Sequence, residues 1–178
     1  PNAPSLMTFL RAAAAAHPTA SLVGYQGDPE KDPQIVSSQA KALFDALKQT
    51  GQITYVNSLI DFNPEQGTSS QRVRLPRESL ADKEANCIDG AVLFASLLEG
   101  ISLHPALVLV PGHAFVAWET WTGSKEWKFL ETTMIGTSTF EEACTSAEET
   151  YTYYKGKKKV RMWPLKDLRT TYRITPME

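Results

Sequence analysis

The sequence predicts an α+β fold, and three observations predict it. Helical patterns predominate in the first sixty residues. A run that is apolar on nearly all sides, CIDGAVLFASLLEG at 87–100, then reads as a buried helix rather than an amphipathic surface one. Beyond it lies a meander of strand patterns with no helix between them, which argues against an alternating parallel α/β sheet. The chain has 178 residues, 42% of them apolar and 21% charged, which is ordinary globular usage and excludes a disordered or fibrous class. No linker or internal repeat divides it. Residues 1–178 are expected to form a single domain, with 1–60 a mainly helical N-terminal part and 71–135 the core that carries the chemistry.

Residues 5–16 read as a helix that Ser5 would cap and Pro18 would stop; its Ala-rich face suggests peripheral packing. Gly24, Gly27, Asp28 and Pro29 are turn residues. Asp32-Pro33 opens a second helix as N-cap and first-turn proline, with Ile35, Val36, Ala40, Leu43, Phe44 and Leu47 as its stripe and Gly51 as its end. Ile53–Val56 is a short strand and 61–71 a loop. Residues 72–85 are charged around Pro76. After the buried helix, stopped by Gly100, Ala106–Val110, His113–Glu119 and Glu126–Thr132 read as strands, with Pro111-Gly112 and residues 121–125 as turns. Ser138 and Glu141 suggest a capping box opening a helix over about 139–154, and Pro164–Thr170 a short helix.

Charge and composition exclude several functions. Eighteen basic against twenty acidic residues leave a net charge of −2, which excludes a broadly basic nucleic-acid surface. The run KGKKKVR at 155–161 carries five basic residues in seven, too narrow a patch for nucleic acid, and reads as a solvated loop or a Lys-protected sheet edge. No apolar run reaches the roughly 18 residues that cross a bilayer, so membrane insertion is not expected. The Ala12–Ala16 tract is too short for a signal segment and lacks a basic flank. The chain begins at Pro1 rather than Met, so a processed protein or a domain of a longer protein, one that could be exported, is expected; compartment and oligomeric state are not readable. Cys87 and Cys144 are too few for a disulfide framework. With His17 and His104 each followed by proline, they make no zinc pattern, and neither a metal nor another cofactor is expected.

Three residues stand out by position. Cys87 sits in the first turn of the buried helix, where unpaired N–H groups and the helix dipole favour a thiolate. His113 comes 26 residues later at the start of a strand, and Glu131 a further 18 residues on, at the end of the next. If 120–125 turn the chain, the start of one strand faces the end of the other. Period-two alternation then puts His113 and Glu131 on one face, within a residue or two of each other. Nucleophile, base and orienting carboxylate are the parts of a cysteine acyl-transfer site. Each residue alone has a plainer reading: Cys87 a small core residue, His113 a structural strand residue, Glu131 a surface carboxylate. Only the joint pattern favours chemistry. Asp89 reads first as a charge favouring the helix dipole, and second as a polar anchor for a nearby loop. The Cys87 N–H is one oxyanion donor; Gln71 and the side chain of Asn86 are candidates for the other. Cys144 reads as a packing residue. Trp118, Trp121 and Trp127 read mostly as core, with one available to wall a cleft.

The stretches ANCIDGAVLFASLLEG, LVLVPGHAFVAWE and WKFLETT resemble the transglutaminase-like superfamily, in particular its bacterial transglutaminase-like cysteine proteinase branch. The resemblance spans about residues 71–135. It implies a papain-like/transglutaminase-like fold, with a buried nucleophile helix packed on an antiparallel β-sheet, and a Cys87–His113–Glu131 triad. Gln71 resembles the family's upstream polar position. Two positions depart from the pattern: the family more often has Asp where Glu131 stands, and often an aromatic residue where Ile88 comes after the nucleophile. The resemblance implies a cysteine peptidase or amidase acting on a protein or peptide. A transglutaminase-type cross-linker and a catalytically inactive peptide-binding domain are the alternatives.

Overall fold

The computed structural model describes residues 3–26, 30–57, 61–63, 68–70 and 72–176, with 61–63 and 68–70 described by backbone alone. Helix α1 (Pro4–Ala16) begins with Pro4 in its first turn, where the missing N–H costs nothing. Its N-cap is Ala3, so Ser5 is not the cap: the first-turn proline already sets the start. Leu6, Phe9, Leu10 and Ala13, spaced at i, i+3, i+4 and i+7, face inward, so this helix is part of the core and not peripheral. The expected Ala-rich face is the one turned outward. Helix α2 (Pro33–Ala46) starts where the Asp32 carboxylate accepts the Gln34 N–H at 2.9 Å. Its last turn widens into a π-type turn at Leu47–Gly51, and Gln52 closes it in a left-handed conformation.

Strand β1 (Thr54–Tyr55) is short, and β2 (Asp61–Asn63) pairs antiparallel with β3 (Thr68–Ser70). The stretch expected as a loop at 61–71 thus contains a small ladder. The charged stretch around Pro76 forms helix α3 (Pro76–Asp82). Proline takes its first position, and Glu78 reaches back to the Leu75 N–H at 2.9 Å. Lys83, in a left-handed conformation, turns the chain into β4 (Glu84–Ala85), which pairs parallel with β1. Helix α4 (Cys87–Gly100) begins directly after it.

The main sheet comes next. Strands β5 (Pro105–Val110), β6 (His113–Glu119) and β7 (Trp127–Leu130) form the meander. Helix α5 (Phe140–Gly156) then leads to β8 (Arg161–Pro164) and α6 (Leu165–Thr170). The capping box of α5 is one residue later than expected: Thr139 Oγ1 accepts the Glu142 N–H at 3.2 Å and Glu142 accepts the Thr139 N–H at 2.8 Å. The order is β7-β6-β5-β8, every pair antiparallel. Gly112, at φ 73°, makes the tight turn between β5 and β6. This is an α+β arrangement.

Strand alternation divides the sheet between two packed clusters. Val116, Trp118 and Leu130 join α1, α2 and α4 in the larger one, where Phe44, Phe94, Leu97 and Leu98 are fully buried. Each such side chain contributes about 1.5–3 kcal/mol on burial. Phe115, Ala117 and Phe129 face the other way and meet Ala147 and Tyr151 of α5, with the Phe129 and Tyr151 rings stacked at 4.1 Å. The N-terminal helices and the sheet therefore share one core. No helix among the described residues is long and apolar enough to cross a membrane.

Candidate active site

The start of α4 is held from several sides. Asn86 is its N-cap: the side-chain oxygen accepts the Asp89 N–H at 2.8 Å, and the Asp89 carboxylate accepts the Asn86 N–H at 3.3 Å. Asp89 is fully buried, and it also accepts the Arg74 N–H at 2.8 Å and the Arg74 guanidinium at 3.2 Å. Asp89 thus has both of the roles read for it, favouring the helix start and anchoring a loop. The anchored segment, 72–75, comes after Gln71, which itself lies outside the described residues. Arg74 also pairs with Glu84. Asn86, offered as an oxyanion donor, is buried, and its oxygen is committed to the helix cap.

Cys87 occupies the first helical position, half-buried and unbridged. His113 opens β6. The β6–β7 register pairs Val116 with Leu130 and Ala117 with Phe129; continued, it sets Phe115 opposite Glu131. His113 is therefore two positions from Glu131 on the same face, a diagonal that long side chains span. His113 Nε2 and Glu131 Oε2 are 2.5 Å apart. The Glu131 carboxylate is buried, and its other oxygen accepts from the Thr133 hydroxyl at 2.8 Å and the Thr133 N–H at 3.1 Å. Both oxygens are thus fixed. The acid caps the 3-10 turn Thr132–Met134 just beyond β7.

With Nε2 turned to Glu131, hydrogen bonding between His113 and the Cys87 thiol is the leading cause of the pKa shifts of both groups. That bond, above all, lowers the Cys87 pKa; burial opposes it, and the Ala114 and Ile88 N–H groups assist it. The His113 pKa rises to about 10, first through the bond to Cys87 and then through the bond to Glu131, against the opposing effect of burial. Both shifts run toward a thiolate–imidazolium pair. Cys144 is the contrast: burial pushes its thiol up to about 12.

The turn bearing Glu131 lies close against α4 because residue 90 is glycine. A Cβ there would stand 2.9 Å from Thr132 Oγ1 and 3.2 Å from Thr132 Cβ. Sequence reasoning misses Gly90 and Thr133. A signal for Thr133 is present, since Glu followed by Thr-Thr at a strand end matches a capped turn; for Gly90 there is none, because its contact is non-local. Trp118 and Trp121 are core residues. At the far end of β6, His104 Nδ1 pairs with Glu119 at 3.0 Å and Glu119 accepts the Lys125 N–H at 2.9 Å, which fixes the β6–β7 turn. Among the described residues no group of three or more His, Cys, Asp or Glu side chains could hold a metal ion. No protein-family model matches the chain, and no curated protein does.

Proposed function

We propose that this protein is a thiol-dependent acyl-transfer enzyme, most simply a cysteine peptidase or amidase of the transglutaminase-like superfamily. The observation that carries this reading is Glu131 Oε2 at 2.5 Å from His113 Nε2, the same histidine that lowers the pKa of the Cys87 thiol at the start of α4. A helix-borne cysteine, then a histidine and an acid on neighbouring antiparallel strands, supports the papain-like resemblance of residues 71–135.

This pairing sets the chemistry. The Cys87 thiolate attacks a substrate amide carbon, and the carbonyl oxygen takes the negative charge. The Cys87 N–H, at a helix position with no intrahelical acceptor, donates to that oxyanion. Gln71, three residues before the tethered Arg74, and the side-chain NH₂ of Asn86 are the candidates for the second donor. Imidazolium His113 gives its proton to the departing amine as the C–N bond breaks, leaving a thioester on Cys87. Neutral His113 then takes a proton from water, which attacks the thioester and releases the acid and the thiol. Glu131 holds the ring in one orientation throughout and stabilises its charged form. Water has access, since Cys87 is half-buried and the His113 side chain is 29% exposed, so hydrolysis needs no further acceptor.

Incubation with an unfolded casein-type substrate and a fluorescent primary amine tests the proposal. New peptide termini without amine incorporation, abolished by Cys87→Ala, are expected. Incorporation without cleavage would replace hydrolysis by cross-linking. No turnover, with Cys87 alkylated no faster than Cys144, would point to an inactive binding domain.

A further inference from the structure

The basic run at 155–161 has no part in the proposed chemistry, yet the fold brings its end beside the candidate site. In the sheet order, β5 lies between β6 and β8. Val110 pairs with His113, and Leu109 pairs with both Ala114 and Arg161. Arg161 therefore stands two strands from the beginning of β6, about 10 Å away at the usual strand spacing. At the same end of the sheet an open cavity of about 450 Å³ is walled by Leu109, Val110 and Pro111 at the end of β5 and by Lys158, Lys159, Val160 and Arg161 at the start of β8. Pro111 and Gly112 make the turn that runs straight into His113. The cavity and the candidate site thus share one end of the sheet.

The three cations in that wall are exposed, and none of them makes an ion pair among the described residues. At another shallow site, Arg72 pairs with Glu78, and Arg74 with Asp82, Glu84 and Asp89, while Arg77 beside them makes no ion pair among the described residues. A protein of net charge −2 that groups three unpaired cations around a cavity with apolar walls presents a local site for an anion on an otherwise balanced surface. Nucleic acid would require a basic face much wider than one sheet corner. A short acidic peptide segment fits the size, the charge and the position.

Building on the acyl-transfer reading, we infer that the substrate is an acidic peptide segment, with Asp or Glu side chains held by Lys158, Lys159 and Arg161 while the amide to be cleaved lies at Cys87. At about 3.3 Å per extended residue, the 10 Å between Arg161 and the start of β6 corresponds to about three residues of extended substrate, and this sets the spacing to be tested. Contacts of this kind act on encounter and on KM more than on the chemical step, and they weaken with salt.

Peptide vinyl sulfones extended on both sides of the warhead test this. One set carries Asp-Glu about three residues before the warhead, one carries it about three residues after, and matched sets carry Ala-Ala or Lys-Lys. Covalent labelling of Cys87 is monitored by mass spectrometry, with iodoacetamide as a small neutral control. One acidic set should label about tenfold faster than its Ala-Ala counterpart at low salt, and lose that advantage at 0.5 M salt. The variant Lys159→Glu/Arg161→Glu should abolish the advantage and favour Lys-Lys, while Lys159→Gln/Arg161→Gln should only level the sets; iodoacetamide rates should be unchanged in both. Equal rates for all sets with rapid iodoacetamide labelling would overturn the acidic preference and leave the acyl-transfer reading standing. Protection of Cys87 by a single-stranded oligonucleotide, but not by an acidic peptide, would also overturn it. Iodoacetamide labelling of Cys87 no faster than that of Cys144 would remove the acyl-transfer reading and this inference with it.

Discussion

Replacing Glu131 with Gln isolates what the carboxylate does. One Glu131 oxygen is held by the Thr133 hydroxyl and N–H at 2.8 and 3.1 Å, and Gln can keep that half of the arrangement with its own carbonyl. The other oxygen, 2.5 Å from His113 Nε2, becomes an NH₂ group. A donor then faces the ring nitrogen, which must become an acceptor, and the imidazole proton is forced toward Cys87. A charge-assisted hydrogen bond of this kind contributes about 1.5–3 kcal/mol. At about 1.4 kcal/mol per pKa unit, the His113 pKa should fall by about 1–2 units. The uncharged thiol–imidazole pair then gains about 10- to 100-fold over the thiolate–imidazolium pair, by the same conversion. Iodoacetamide alkylation of the folded protein at about pH 6, with peptides resolved by mass spectrometry, reads this directly because only the thiolate reacts. Cys87 labelling should slow by about tenfold or more, and His113→Ala should slow it further by removing the ion-pair partner. Cys144, whose thiol burial pushes up to about 12, is the internal control and should respond to neither change. A Cys87 rate that changes less than about twofold in folded Glu131→Gln would refute the claim that Glu131 supports the charge on His113.

Two further outcomes are expected. The pH profile of amide hydrolysis should stay high through neutrality and fall on the alkaline side near pH 10, where His113 loses the proton it gives to the leaving amine; iodoacetamide labelling needs no such proton and should not fall there. A fall centred at the ordinary imidazole value would contradict the pairing. Gly90→Ala should destabilise the protein by about 1–3 kcal/mol in denaturant titration, because the new methyl meets buried Thr132 at 2.9 Å, which outweighs the gain in helix propensity; it should also slow Cys87 labelling by moving α4 from the Glu131 turn. A more stable variant would show that this approach is not tight.

The sequence exposes what local periodicity encodes. The all-apolar run marks α4, period two marks β6, and the turn at 121–125 before β7 fixes which strand ends meet, so Cys87, His113 and Glu131 can be named without any contact in view. The less legible features are short or non-local. Helix α3 has the start signals of Pro76 and Glu78, but its charged composition conceals them. The pairing of β1 with β4 covers two residues on each strand, too few for any period. The Arg74–Asp89 anchor joins residues fifteen apart, and whether a carboxylate takes such a partner depends on how the chain folds back. Thr139 and Ser138 both fit a cap, and only the backbone separates them.

The pairing of β1 with β4 bears on when the thiol becomes reactive. It closes a span of thirty residues, from Thr54 to Glu84, immediately before the nucleophile helix. Closures of this length are entropically costly and form slowly compared with a helix or a hairpin. The β6–β7 hairpin can bring His113 and Glu131 together early, because its contacts are local. Cys87 joins them only when α4 docks and its leading end is tied down by the β1–β4 pair and by Arg74. Until then its thiol keeps an ordinary pKa and is mostly protonated. A growing or partly folded chain would thus carry a quiet cysteine, and the reactive one would arise as one of the last products of folding.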